Sequence, residues 1–189
     1  MKIVNWLKHN KFIVLLILTG SILRFYKVDF QSVWVDEIFS LNNASPDKSF
    51  GQIFNYIKTY DPHPPLYYFC LNVLFKIFGY STFVMRFFSA FLGVLGLISI
   101  FFLAKEMMNK KVAIVAVLLT SFNYFHIYYS QEARMYSMLF LTTCVAYLFL
   151  IRFIKNPSQK TALFYCASSL LMIYTHFFAL FVWIYQIIS

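Results

Sequence analysis

Two neighbouring carboxylates, Asp36 and Glu37, stand among large apolar side chains in the stretch Val33-Trp34-Val35-Asp36-Glu37-Ile38-Phe39-Ser40. A carboxylate can take a proton from a hydroxyl. Hydrocarbon cannot solvate it, so the pair must sit among headgroups, in water or in a protein-lined cavity. Adjacent side chains diverge by about 100° on a helix or 180° on a strand, and different roles are therefore expected for the two acids.

Other groups with chemistry to offer recur further along. Asp61 and His63 alternate with prolines in Asp61-Pro62-His63-Pro64-Pro65, Arg86 interrupts an apolar run, and Ser130-Gln131-Glu132-Ala133-Arg134 is flanked by Tyr128, Tyr129 and Tyr136. Arginine presents bidentate donors suited to phosphate. His63, His126 and His176, with Asp61 or Glu132, could offer nitrogen and oxygen ligands to a divalent metal. No local spacing such as His-x-x-x-His is present, so no metal and no other cofactor is expected to be required. Cys70, Cys144 and Cys166 are odd in number and widely spaced, which argues against both a disulfide framework and a thiolate metal site.

The elements that must position these groups are set by the bilayer. The chain is 61% hydrophobic and 12% charged, against roughly 45–50% and 25% for soluble domains. It reads as an all-α, multi-pass membrane bundle. The net charge of +9 comes from scattered basic residues with no basic, aromatic-interleaved stripe, which excludes a nucleic-acid partner. Apolar runs predict spans near 12–26, 82–104, 112–129, 135–151, 161–174 and 177–189. That makes six, or five if residues 161–189, which carry no charged side chain, form one tilted helix rather than turning near Thr175-His176. The first span is extended by aromatic and snorkelling residues, Arg24 and Lys27 among them. Its leader, with Lys2, Lys8 and Lys11, has the form of an uncleaved signal anchor and puts the N-terminus in the cytoplasm.

Residues 27–81 then form a large outer loop holding five of the seven acids: Asp29, Asp36, Glu37, Asp47 and Asp61. Phe50, Ile53, Phe54 and Ile57 fall at helical spacing and predict an interfacial helix over Ser49 to Tyr60. Pro65 to Phe78 is apolar but only about 21 Å long as a helix, against a hydrocarbon core of about 30 Å, so it is expected to lie on the surface or re-enter. If it does not cross, Lys105, Lys110, Lys111, Arg152, Lys155 and Lys160 join the basic leader in the cytoplasm. Asp36, Glu37, Asp61, His63, Arg86, Asn123, His126, Gln131, Glu132, Arg134 and His176 then gather on the outer side. The chain stops inside an apolar run, so residues 1–189 are expected to be the N-terminal part of a longer membrane domain.

Leu23-Arg24-Phe25-Tyr26, Ser32-Val33-Trp34-Val35-Asp36-Glu37, His63-Pro64-Pro65-Leu66-Tyr67-Tyr68, Met85-Arg86-Phe87-Phe88-Ser89-Ala90 and Tyr129-Ser130-Gln131-Glu132-Ala133-Arg134-Met135-Tyr136 follow one another in order. This ordered set resembles the GT-C glycosyltransferases, in the branch of protein O-mannosyltransferases and the aminoarabinose transferase of lipid A. The resemblance implies a multi-pass enzyme of the cytoplasmic membrane that moves a sugar from a polyprenyl-phosphate carrier to a lipid, glycan or protein acceptor outside the cytoplasm. It implies Asp36 as the base and Glu37 in support. Arg134 and then Arg86 would serve the carrier phosphate, with Gln131 and Glu132 beside Arg134 in substrate binding. His63, which stands where the aminoarabinose transferases have a lysine, is counted with the substrate-binding residues, and some relatives carry a divalent ion. The alternatives are a module that binds or transports the lipid carrier without chemistry, which would need the arginines but not Asp36, and an inactive fragment.

Overall fold

The computed structural model describes residues 10–61 and 63–188, so the basic leader before Asn10 lies outside the described residues, as do Pro62 and Ser189. Ten helices follow in order: α1 (Lys11–Phe25), α2 (Val35–Asn43), α3 (Phe50–Tyr60), α4 (Leu66–Phe78), α5 (Thr82–Met107), α6 (Lys110–Phe122), α7 (Tyr124–Gln131), α8 (Tyr136–Lys155), α9 (Gln159–Ile173) and α10 (Ala179–Ile188). Among the described residues there is no strand.

The central element is α5, whose two faces have different compositions. Arg86, Ser89, Ala90, Gly93, Gly96 and Leu97 are buried, while Phe83, Phe87, Phe91, Ile98 and Phe102 are exposed on the other side. Small residues on the buried stripe let neighbouring helices approach closely. A Cβ at Gly93 would stand 2.3 Å from Ser130 Oγ, and one at Gly20 of α1 would stand 2.7 Å from a Leu97 methyl. α1, α4, α6, α7 and α8 all pack on α5, and α9 and α10 pack against α8.

α5 and α8 are long and apolar enough to cross a membrane, and α6 with α7 would make a third span if taken together. The span expected over 112–129 is therefore not one straight helix: α6 and α7 meet at 58°. The cause is Asn123. Its backbone is extended, and its side chain accepts from the His126 amide at 2.9 Å, opening a new helix with a fresh cap. The break strips partners from the last carbonyls of α6, and Arg24 replaces them by donating to Thr120 O at 3.0 Å and Ser121 O at 3.3 Å. Arg24 is fully buried; it caps an internal helix end and does not snorkel. The apolar tract 161–188 is divided, with a turn at Tyr174–Phe178 between α9 and α10. α1, α9 and α10 have 15, 15 and 10 residues.

The connection from α1 to α5 contains three helices rather than one or two. α3 forms where the apolar spacing predicts a helix and starts on a capping box between Ser49 and Gln52; of the four spaced residues it buries Ile53 and Ile57 and leaves Phe50 and Phe54 exposed. α2, not anticipated from the sequence, carries both acids in its first turn. α4 buries Tyr67, Tyr68, Leu71 and Phe75, and its Asn72 amide binds Ala44 O, Ser45 O and Lys48 O, tying α4 to the α2–α3 turn. The start of α4 is fixed to the end of α9 by a bond from Leu66 N to Tyr174 O.

Candidate functional site

The two acids of α2 diverge as their spacing requires. Glu37 turns inward and is 1% exposed; both its oxygens meet Arg86, at 2.8 Å from Nε and 2.6 Å from Nη2. Its Oε1 also accepts from Ala133 N at 2.9 Å. One carboxylate thus joins α2, α5 and the turn that carries Arg134. Arg86 spends its other donors on Gln31 O at 2.7 Å and Ser32 O at 3.2 Å, with Asp29 at 3.6 Å. Every terminal nitrogen of Arg86 has a protein acceptor, so the guanidinium expected to serve a phosphate is engaged in holding the fold. Its side chain is 3% exposed.

Asp36, one residue earlier, is half-buried, and its carboxylate accepts no hydrogen bond among the described residues. Beside it stands Arg134. Nη1 of Arg134 reaches Asp36 O at 3.2 Å and Tyr68 Oη at 3.3 Å, while its buried Nε has no partner. Burial works against the charge on Arg134, but Tyr68, Asp36 and Asp61 more than offset this and hold the guanidinium above its ordinary range. A cation with unfilled donors and an acid with unfilled acceptors therefore share one small region.

Behind Arg134 lies a chain of hydrogen bonds. Tyr68 donates to Asp61 Oδ2 at 2.6 Å, and Asp61 Oδ1 takes the His63 ring at 2.6 Å and the His63 amide at 3.0 Å. Burial would raise the Asp61 carboxyl, but the bonds from His63 and Tyr68 override it and bring it down to about 2. The His63 ring lies 4.9 Å from that of His176. Burial, with His63 and Arg134 nearby, pulls the His176 imidazole down to about 4.

Gln131 and Glu132 both line one cavity but are bonded differently. The Gln131 amide donates to Leu23 O, Arg24 O and Tyr26 O, capping the end of α1. Glu132 is 6% exposed, and the Tyr128 hydroxyl is the one side-chain donor that acts on its carboxyl. Burial and the charges of Glu37 and Asp36 raise its carboxyl. It lines a cavity of about 200 Å³ together with Gln31, Trp34, Glu37, Arg86 and Tyr128. A larger apolar groove of about 630 Å³ runs between α4 and α5, walled by Leu74, Phe78, Phe83, Phe87, Phe88 and Phe91. Phe88 stacks on Tyr67, whose hydroxyl meets Ser89 Oγ at 2.8 Å, and Ser89 Oγ donates to Arg134 O at 3.3 Å. The groove lies on the outward face of α5, and buried Tyr67 and Ser89 stand between its Phe88 wall and the Arg134 carbonyl.

The histidines considered as metal ligands divide. His63 and His176 face one another, while His126 Nδ1 accepts from Arg24 Nη2 at 2.8 Å near the α6–α7 break. Among the described residues no three His, Cys, Asp or Glu side chains converge as a ligand set.

The profile of the dolichyl-phosphate-mannose-protein mannosyltransferase family matches residues 62–189, more than half of the chain. The chain belongs to that family. Membership makes it a membrane glycosyltransferase of the GT-C type in origin, in agreement with the resemblance carried by the ordered motifs. The match includes His63, Arg86 and the Gln131-to-Arg134 turn but begins after Asp36 and Glu37, so the acids join the family's region through contacts, chiefly Glu37 with Arg86 and Ala133. No curated protein and no solved structure matches the chain. Tyr68 and Arg24 were not singled out for the site from the sequence. Both lie within the ordered motifs, and an arginine inside an apolar run is a further signal for Arg24.

Proposed function

We propose that this chain contributes the outer catalytic end of an inverting glycosyltransferase that takes its sugar from a polyprenyl-phosphate carrier. Asp36 accepts the proton of the acceptor hydroxyl, the hydroxyl oxygen bonds to the anomeric carbon, and the bond from that carbon to the phosphate oxygen breaks. The departing phosphate is met by the open donors of Arg134. The observation that carries this reading is the juxtaposition of an unpartnered Asp36 carboxylate with an under-used, buried Arg134. Arg86 and Glu37 serve as the clamp that holds the two together. Tyr68, Asp61 and His63 steady Arg134, and the Phe-walled groove between α4 and α5 suits an apolar carrier chain. In this reading no metal and no other cofactor is required.

In this reading residues 1–189 are one part of a membrane domain with five to six spans, the N-terminus in the cytoplasm, and residues 27–81 and the site on the non-cytoplasmic face. The basic groups at the far end of α5 and α8, Lys105, Lys110, Lys111, Arg152 and Lys155, support that orientation. The deciding experiment compares wild type with Asp36→Asn and Arg134→Gln for release of free polyprenyl phosphate and for carrier binding. Asp36→Asn is expected to bind carrier and lose transfer; Arg134→Gln is expected to lose both. Near-normal turnover in Asp36→Asn removes the base. Carrier binding with no transfer in any form, including a longer chain, leaves a lipid-binding module instead.

A further inference from the structure

The connection between α1 and α5 sorts its charges. Four of its five acids gather about the two arginines: Asp29 and Glu37 meet Arg86, Asp36 stands beside Arg134, and Asp61 is bonded to His63 and Tyr68 behind it. The fifth, Asp47, accepts from Ser45 Oγ at 3.2 Å. Lys48, Lys58 and Lys76 go elsewhere, and among the described residues none of the three enters an ion pair. Lys76 Nζ donates to Lys48 O at 3.3 Å and lies 5.8 Å from the Phe50 ring centroid. Lys48 Nζ donates to Asn42 O at 2.7 Å and lies 4.7 Å from the Tyr56 ring. Lys58 follows Phe54 by one turn of α3, on the same flank.

These three lysines edge a strip of uncovered apolar side chains. α3 is apolar on two adjoining sides, and only that of Ile53 and Ile57 is packed on protein; Phe50 and Phe54 are exposed. Phe50 meets Phe69 of α4 at 4.8 Å between ring centroids. From Phe69 the strip continues one turn at a time through Val73 to Ile77, both exposed, and ends at the exposed Phe78 and Tyr80.

The depth of the strip follows from α5. Its 26 residues rise about 39 Å, more than a hydrocarbon core of about 30 Å, so its ends lie among headgroups. α4 passes into α5 through Gly79, Tyr80 and Ser81, which holds Lys76, Ile77 and Phe78 near the level where hydrocarbon gives way to headgroups. At that level apolar side chains meet acyl chains, aromatic rings the interface, and lysine stems reach toward phosphates. Three ammonium groups without an acid of their own call for anions from outside. A second copy in a two-fold contact would set the same lysines against one another.

We infer that the α3–α4 strip is a membrane-docking surface selective for anionic phospholipid. Phe50, Phe54, Val73 and Ile77 enter the acyl boundary, and Lys48, Lys58 and Lys76 hold lipid phosphates. Phe78 also lines the groove between α4 and α5, so the strip sets which headgroups surround that groove. The inference needs a bilayer around α5 and does not depend on sugar transfer.

The test places a reporter on the strip. Phe54→Trp is made with Trp6, Trp34 and Trp183 replaced by Phe, and the purified chain is reconstituted in vesicles of phosphatidylcholine with a minor share of phosphatidylglycerol. Brominated acyl chains are carried by one lipid or the other at constant composition. Quenching is expected from both, and per molecule roughly threefold or more from phosphatidylglycerol, falling toward equality in high salt. Replacing Lys48, Lys58 and Lys76 together by Gln should abolish the preference and leave the quenching; replacing them by Arg should keep it. Equal quenching per molecule with the lysines intact, a preference that survives the Gln substitutions, or its loss in the Arg variant overturns the inference. So does a reporter that neither lipid quenches, since the strip would then face water, a second copy or another protein. Polyprenyl phosphate is left out of these vesicles, so the outcome is independent of the Arg134 site.

Discussion

α5 carries an ion pair near each end, and the two pairs differ in everything but their chemistry. Arg86 meets Glu37 at 2.6 Å with side chains 3% and 1% exposed, whereas Glu106 meets Arg152 at 3.2 Å with side chains 29% and 39% exposed. Twenty residues separate Arg86 from Glu106, about 30 Å along a helix, close to the thickness of a hydrocarbon core. One end has polar groups enclosed by protein and matched almost atom for atom; the other has excess positive charge in contact with its surroundings. Where nearly every buried group has a partner, the few that do not become informative. Arg134 Nε shares that lack of a partner with Arg24 Nε, Asn43 Oδ1, Asn72 Oδ1 and His126 Nε2, and it is singled out because it stands beside the half-buried, unbonded Asp36, while the unmatched lysines at the far end face their surroundings.

The largest effect expected from breaking this contrast is at the enclosed pair. Arg86→Met leaves Glu37 buried and unpaired and releases Gln31 O and Ser32 O, so a loss of about 3–5 kcal/mol is expected, read as a lower unfolding midpoint or failure to fold. Glu37→Gln should share the defect in smaller measure, since the amide still offers Arg86 one oxygen. The neighbouring Asp36→Asn separates the two acids: transfer is expected to fall by about 10²–10⁴-fold with an unchanged unfolding midpoint, because no hydrogen bond is lost. Equal loss of stability in Asp36→Asn and Glu37→Gln would erase the distinction between base and clamp.

How much of this was legible beforehand depends on the range of the signal. Divergence of Asp36 and Glu37 follows from the geometry of consecutive residues, and the amphipathic α3 from four apolar positions, because both are local. Family membership was readable from short motifs in order. The partner of Glu37 was not: Arg86 is 49 positions away, and no pattern within either motif says which arginine meets which acid. The break at Asn123 was hidden for another reason. Apolar composition continues through it, and only the combination of an Asn cap with a distant Arg24 makes two helices cheaper than one. Gln131 reads as a site residue in its motif and does line the cavity with Glu132, but the bonds of its amide to the end of α1 could not be read from the motif.

A medium-sized effect concerns the enclosed end in acid. His176 is held neutral, its imidazole drawn from 6.5 to about 4 by burial and by His63 and Arg134. Its folded value lies below its unfolded value, so the unfolded chain binds more protons between those limits. The stabilisation from keeping the ring neutral is complete above about pH 6.5 and is lost as the pH falls toward 4. A loss of roughly 1–3 kcal/mol is expected across that window, and His176→Asn should flatten it. Asp61, lowered to about 2, acts only below about pH 4, where its contribution disappears as the carboxylate protonates.

The smallest effect belongs to the open pair. Glu106 holds Arg152 and also Lys155, both through its side chain and through its backbone carbonyl. Partly exposed pairs contribute about 0.2–1 kcal/mol at most, so Glu106→Gln should move the unfolding midpoint little, and not at all in high salt, where such charges are screened. Removing this acid also leaves Lys105, Lys110, Lys111, Arg152 and Lys155 without an opposing charge at that end of α5 and α8. If these residues are retained in the cytoplasm by their charge, insertion of the Gln variant should be as efficient as wild type or better. A marked loss of stability or inverted insertion would mean that the exposed end is as closely matched as the enclosed one, and unpartnered atoms at the Asp36 end would then no longer point to a ligand.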